Sequence, residues 1–297
     1  MAQADVKALL QAGAHFGHKT SRWHPKMAPY IHSKRGGIHI IDLTKTAEML
    51  DEATAFVAQQ TAKGHQVLFV GTKRQAKDVV KEAAIDAGQP YVTERWLGGM
   101  LTNSTTINAR IKRLKELETK MASGELANRY NKLEVQRFQE QIDAMNIDYG
   151  GVKELRGKPG VVFVTDATED KNAINEAIKL GIPVIAIADT NVDPTKITYP
   201  VPANDDAIGC IKYITNQIAD AVKEGTLSKN AKVDVLIKPV ATKSSQEAKK
   251  AEEPVEPVKD KAAPKVLEAK KAEKLASKVV KAPKKDVKPA KKEESKK

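Results

Sequence analysis

Five of the six histidines in the chain crowd into residues 13–42, GAHFGHKTSRWHPKMAPYIHSKRGGIHIID. His15 and His18 lie three apart, with His24 close by, a spacing that zinc ligands can have. Zinc needs further donors. The only cysteine is Cys210, and no acidic side chain falls between residue 13 and Asp42. The sequence therefore gives a metal centre little support, and none is expected. The same stretch interleaves Arg22, Trp23, Lys26, Lys34 and Arg35 with Tyr30, in what reads as a loop punctuated by Gly and Pro. Cations beside flat rings suit phosphate contacts and stacking on bases or sugars. Phe16 reads as a core residue instead.

Three further clusters carry chemistry. In Glu94–Asn103, ERWLGGMLTN, Arg95 and Trp96 set a fixed cation beside a flat apolar surface, and Gly98–Gly99 allow close backbone approach. Asn103 or Ser104 can instead cap a following helix. In Gly71-Thr72-Lys73-Arg74, a loop after an apolar run, Lys73 and Arg74 stand where a phosphate would sit at a helix start. The fingerprints GxGxxG and GxxxxGK[ST] are both absent, so a nucleotide site is not expected. Asp166 and Asp189 each follow an apolar run, with Asp170 and Asp193 near, and paired carboxylates can hold Mg²⁺ or act as acid and base. Such residues also cap helices and shape turns, as Asp193-Pro194 does. No nucleophile elbow or HExxH accompanies them, so no catalytic residue is expected.

These residues must be positioned by a fold, and the hydrophobic pattern supplies one. Residues 66–71, 160–165 and 182–188 are short, continuously apolar runs, as in strands of a parallel sheet buried on both faces. Tyr91–Thr93 reads as a fourth, shorter strand. Helical patterns alternate with them over 44–62, 73–87, 170–180 and 205–223, which makes the core α/β. Residues 103–149 break the alternation. Ile107, Ile111, Leu114, Leu117 and Met121 follow a coiled-coil seam, and a second helical run follows Ser123-Gly124. An antiparallel helical hairpin, inserted in the sheet and projecting from it, is expected. Its outer face carries Arg110, Lys112, Arg113, Lys115, Arg129, Lys132 and Arg137, which either meet RNA or simply solvate the helices.

Charge divides the chain again. Of 297 residues, 231–297 hold 20 Lys, no Arg and 11 acidic residues, a net +9 out of +12 overall. That segment has no aromatic residue and reads as disordered from about residue 229. The remainder is weakly basic but holds every Arg, the residue suited to bidentate phosphate recognition. A lone cysteine excludes a disulfide framework. Neither a signal peptide nor a run of ~18 apolar residues is present, so a cytosolic protein without a membrane partner is expected.

Six motifs then resemble one family: HFGH-x₃-R-W-x-P-K-M (His15 to Met27), GGIHIIDLTKT (Gly36 to Thr46), VGTKR (Val70 to Arg74), RWLGGMLTN (Arg95 to Asn103), GIPVIAIADTN (Gly181 to Asn191) and PANDDAI (Pro202 to Ile208). Their order and spacing resemble the bacterial small-subunit ribosomal protein two (S-two) family, over about residues 1–228. The resemblance implies a Rossmann-like parallel-sheet domain (1–102 and 150–228), a coiled-coil hairpin (103–149) and, outside the shared core, a basic tail (229–297). It also implies a structural, non-enzymatic role in the small ribosomal subunit. Members bind 16S rRNA between head and body and help recruit ribosomal protein one. No cofactor and no small-molecule substrate are implied. Carried onto this sequence, the RNA-facing positions are Arg22, Trp23, Lys26, Lys34, Arg35, Arg95, Trp96 and Asn103. The residues themselves add Lys73, Arg74, Arg110 and Arg113.

Overall fold

The computed structural model describes residues 4–237, with side chains through residue 229. The chain opens with α1 (Val6–Gln11), capped by Asp5, whose carboxylate accepts from the Lys7 amide. An antiparallel sheet follows: β1 (Phe16–Lys19), β2 (Ile31–Arg35) and β3 (Ile38–Ile41), with β3 in the middle. The stretch expected as a loop is therefore built of short strands joined by 3₁₀ turns. Its strands carry His, Lys and Arg on a face that meets no core, so they lack the apolar run that betrays a buried strand. Phe16, expected in the core, is half exposed and lies against the His15 ring at 3.9 Å.

After α2 (Leu43–Ala62), which Asp42 caps, come β4 (Val67–Val70), α3 (Lys77–Asp86) and β5 (Tyr91–Val92). Three helices intervene: α4 (Ser104–Ala122), α5 (Glu125–Arg129) and α6 (Lys132–Tyr149). The body resumes with β6 (Val161–Val164), α7 (Lys171–Lys179), β7 (Val184–Ala188), β8 (Tyr199–Pro202) and α8 (Ile208–Ile237). The five strands β4–β8 form one parallel sheet in the order β5-β4-β6-β7-β8. β8 escapes sequence reading because Pro200 and Pro202 interrupt it. It is an edge strand, where a missing N–H is tolerated.

Every residue of β4, β6 and β7 is buried, yet their side chains alternate between two cores. Val67, Phe69, Val161, Phe163, Ile185 and Ile187 meet the apolar faces of α2 and α8, including Leu50, Val57, Ile211, Ile214 and Ile218. Leu68, Val70, Val162, Val164, Ala186 and Ala188 meet Ala173, Ile174 and Ala177 of α7, together with Met27 and Trp96. Each large side chain so enclosed contributes about 1.5–3 kcal/mol, which is why an all-apolar run gives a sheet with helices on both faces. Its carboxyl ends all point one way, so the loops after β4, β6, β7 and β8 gather at one rim.

α6 returns along α4, and Leu114, Leu117 and Ile142 form a small cluster of their own, with Met121, Phe138 and Met145 packed against it. Ile107 and Ile111 belong to the body's core instead and root the hairpin in it. An Asn131–Glu134 capping box starts α6. The last helix continues to Ile237, across the 228/229 boundary read from composition, and residues 238–297 lie outside those described.

α2 and α8 lie in close contact at Gly225. A Cβ there would stand 1.8 Å from Thr61 Oγ1 and 2.5 Å from the Ala58 carbonyl oxygen. The Thr61 hydroxyl already donates to the Val57 and Ala58 carbonyls within α2 and has little room to move. Gly225→Ala should force the helices apart and cost about 2 kcal/mol, as overpacking does. A lowered melting temperature checks this. An unchanged one means that the two helices can slide freely.

Candidate nucleic-acid interface

The small sheet and the turn after its first strand present three of the cations singled out in the sequence. Lys34 and Arg35 end β2 and are exposed. Arg22 sits in the 3₁₀ turn Thr20–Arg22 and is also exposed. Trp23 follows it, 37% exposed, with its ring 5.2 Å from that of His39. Among the described residues, Arg22, Lys34 and Arg35 pair with no carboxylate, so their charge is available to a ligand. Arg74, Arg95, Arg110 and Arg113 are likewise exposed and unpaired among the described residues, the last two on α4. Asn103 stands at the N-cap of α4 but makes no capping bond, and its amide oxygen accepts from the Thr105 hydroxyl.

Three of the residues expected to face RNA are engaged elsewhere. Lys26 is exposed, but its ammonium lies 3.0 Å from Asp193 Oδ2 and donates to Thr195 Oγ1, tying the 3₁₀ turn Pro25–Tyr30 to the loop after β7. Trp96 is 8% exposed, packs in the core under α7, and donates from Nε1 to Glu176 Oε1 at 3.1 Å. Its ring is walled in and offers no face to a base. Lys73 is 12% exposed and is surrounded by Asp166 Oδ2 at 3.0 Å, Asp205 Oδ1 at 3.0 Å and Asp206 Oδ1 at 2.8 Å. Burial alone would lower its pKa, but Asp206, Asp205 and Asp166 together hold it above the ordinary lysine value.

Glu176, which sequence reasoning passed over, organises the segment that holds Arg95 and Asn103. Its carboxylate accepts from Trp96 Nε1, from the amides of Gly99, Leu101 and Thr102, and from the Thr102 hydroxyl, at 2.8–3.1 Å. Partial burial works against its charge, but these donors prevail and hold its pKa below the usual value. A carboxylate facing several backbone N–H groups is the acceptor best matched to a turn of orphan donors. One signal was available: Glu176 lies three residues after Ala173 and four before Leu180, on the inward side of its helix.

Behind the small sheet lies a polar cluster that draws on five chain segments. The carboxyl ends of β4, β6, β7 and β8 supply Lys73, Asp166, Asp189 and Asp205–Asp206. β1 supplies His18, whose Nδ1 stands 2.9 Å from Asp189 Oδ2 and whose Nε2 stands 3.8 Å from Asp206 Oδ2. Gly17 makes this approach possible. A Cβ there would lie 2.7 Å from Thr190 Cγ2 and 3.1 Å from the His39 carbonyl oxygen, while the His18 amide donates to Thr190 Oγ1. Burial, reinforced by Asp166 and Asp189, raises the Asp205 pKa to about 7 despite Lys73. Burial likewise raises Asp170 to about 6, although the Thr72 hydroxyl and amide both donate to it. Asp166 also accepts from the Thr168 and Glu169 amides, the turn-shaping role that competes with catalysis. Ligand atoms of His18, Asp189 and Asp205 all lie within 4.8 Å of one another, so these three could hold a metal ion.

Comparison with known proteins gives a consistent picture. Residues 9–225 match the family described as ribosomal protein S2. A protein of Coprothermobacter proteolyticus, described as small ribosomal subunit protein uS2, is 49% identical over 225 residues, covering 76% of this chain and 84% of its own. Proteins with the same description from Chloroflexus aggregans and Dehalococcoides mccartyi are 49% and 48% identical over 220 and 224 residues. They cover 74% and 75% of this chain, and 92% and 91% of their own.

Proposed function

The chain belongs to the ribosomal protein S2 family, and on that premise we propose that it is a structural constituent of the small ribosomal subunit in the cytoplasm, held there by 16S rRNA between head and body. Proteins of this family are structural and not enzymes. In this reading the α/β body (1–102 and 150–228) is the rRNA-bound part, and the 103–149 hairpin projects from it as a coiled coil. The Lys-rich segment 229–297 adds sequence-independent attraction, and neighbouring proteins, ribosomal protein one among them, assemble around the body. None of the described helices is long and apolar enough to cross a membrane.

The observation that carries the RNA reading is the small sheet, where exposed Arg22, Lys34 and Arg35 stand unpaired among the described residues, beside the accessible ring of Trp23. Arg74, Arg95, Asn103, Arg110 and Arg113 extend the surface in the same reading. Lys26, Lys73 and Trp96 act behind it, by holding the loops in place.

Exchanging Lys34 and Arg35 together for Glu should weaken incorporation into small subunits about 10-fold. It should also reduce the slope of log affinity against log salt by about 2, one unit for each phosphate no longer neutralised. Sedimentation of reconstituted particles over a salt series reads both. Wild-type incorporation with an unchanged slope would remove the small sheet from the interface.

A further inference from the structure

We propose that the cavity between α7 and the loop after β7 takes one unpaired adenine of an RNA strand, read by Asn191. The inference rests on the RNA reading above and names one nucleotide contact within it. Three observations lead to it.

The first is shape. The cavity measures about 180 Å³ and lies at the carboxyl ends of β6 and β7, on the α7 side of the sheet. Pockets for drug-sized ligands hold about 300–1,000 Å³, so this one suits a single flat group. Ala167, Ile174, Val192 and Ile197 line it, each 4–7% exposed. Aliphatic side chains of this kind pack against the faces of a base drawn out of its stack.

The second is an amide without a partner. Asn191 lines the cavity, and its Oδ1 is sealed from solvent yet accepts no hydrogen bond. Its Nδ2 donates to no described residue either. Leaving an amide unmatched is costly, and a ligand with a complementary edge removes that cost. Adenine has that edge: its N6 amino group donates to the amide oxygen, and its N7 accepts from the amide nitrogen. An unpaired base leaves this edge open to a protein. The terminal torsion of Asn is soft, so the amide turns toward the cavity at little cost.

The third is charge. Lys171 and Lys196 line the same cavity, are exposed, and pair with no carboxylate among the described residues. Asp193, also on the rim, already faces Lys26 and the Thr195 amide and hydroxyl. Two free ammonium groups beside an apolar slot match the phosphates on either side of an inserted base. A purely apolar ligand would need neither lysine, and a bare phosphate would need no slot.

The test uses the full chain and fluorescein-labelled pentaribonucleotides, UUAUU and UUUUU, read by anisotropy. The two carry the same charge, so attraction that ignores sequence cancels in their ratio. UUAUU should bind about 10-fold tighter, within the range of one bidentate base contact. Asn191→Ala should abolish the preference. Replacing the adenine by purine, which lacks the amino group, should do the same with the wild-type protein. Exchanging Lys171 and Lys196 together for Gln should weaken both RNAs and lower the salt slope by about 1.4, roughly 0.7 per phosphate of a single strand. Equal binding of UUAUU and UUUUU by the wild type, or full preference with purine or in Asn191→Ala, would overturn the pocket and leave the salt-dependent RNA reading in place. Failure of both RNAs to bind at low salt would remove that reading and the pocket with it. Adenosine monophosphate competing as well as unlabelled UUAUU would overturn the RNA assignment in favour of a free nucleotide. Because the purine exchange is made in the RNA, it decides the matter even where Asn191→Ala fails to fold.

Discussion

Exchanging Lys73 for methionine should destabilise the folded body by about 4 kcal/mol, the usual penalty for removing one partner of a buried ion pair. The side chains are of similar length, so the loss is electrostatic. Asp166 and Asp205 have side chains only 4% and 1% exposed, and both keep their positions at the strand ends while losing their cation. Asp206, at 57%, retains its water and contributes less to the deficit. The loss should also depend on pH. Asp205 carries a folded-state pKa of about 7, raised above its ordinary 3.8, so between those values the folded protein keeps a proton that the unfolded chain has released. Its contribution to stability therefore declines as pH rises through that window. Without Lys73 the folded carboxylate titrates higher still. The variant's deficit should be larger at pH 8 than at pH 5. Urea midpoints at the two values test this, and equal deficits would mean that Asp205 is not the group left without a partner.

Glu176→Ala should cost about 3 kcal/mol, because it strands three backbone amides, a hydroxyl and the Trp96 indole together. Glutamine should not rescue it. Oε2 alone accepts from the Leu101 and Thr102 amides and the Thr102 hydroxyl, so an amide nitrogen there would face donors. With the amide oxygen at the Oε2 position instead, three acceptances survive, but the amide nitrogen then faces the Trp96 indole and the Gly99 amide. Wetting of the Trp96 pocket should move tryptophan emission to longer wavelength before the body unfolds. In the wild type the sign of the pH effect is the reverse of that at Asp205. The Glu176 pKa is depressed, so its contribution is present at neutral pH and disappears as acid protonates it, below the usual carboxylate range. A Glu176→Gln protein with wild-type emission and midpoint would show that the segment from Arg95 to Asn103 is held by packing alone.

Both residues illustrate what a sequence does and does not disclose. The three central strands were legible because burial on two faces leaves only apolar residues, as in VLFV, VVFV and VIAIA. α2, α3 and α7 followed from their apolar faces and from glycine stops at Gly88 and Gly181, both with positive φ. β8 was hidden by its prolines, and the small sheet by having one dry side. Among site residues, types were legible but destinations were not. Lys73 and Trp96 belong to the kinds of residue that meet RNA, yet their neighbours Asp205 and Glu176 lie 132 and 80 positions away in sequence. The surroundings of His18 are illegible for the same reason: the sequence offers the histidines no acidic partner before Asp42, whereas the fold brings Asp189 and Asp205 to His18.

The pairing of α2 with α8 has a consequence for biogenesis. The apolar face of α2 is complete by residue 62, but the side chains that cover it, from Ile211 to Val222, are translated last among the core residues. At about 5–20 residues per second, the part of that face that α8 covers stays bare for on the order of 10–30 s. Sheet and first helices can begin to condense in that interval, but the hydrophobic interior closes only when the C-terminal helix emerges from the exit tunnel. Chaperone occupancy during synthesis should therefore be concentrated on α2 and end abruptly with the arrival of α8.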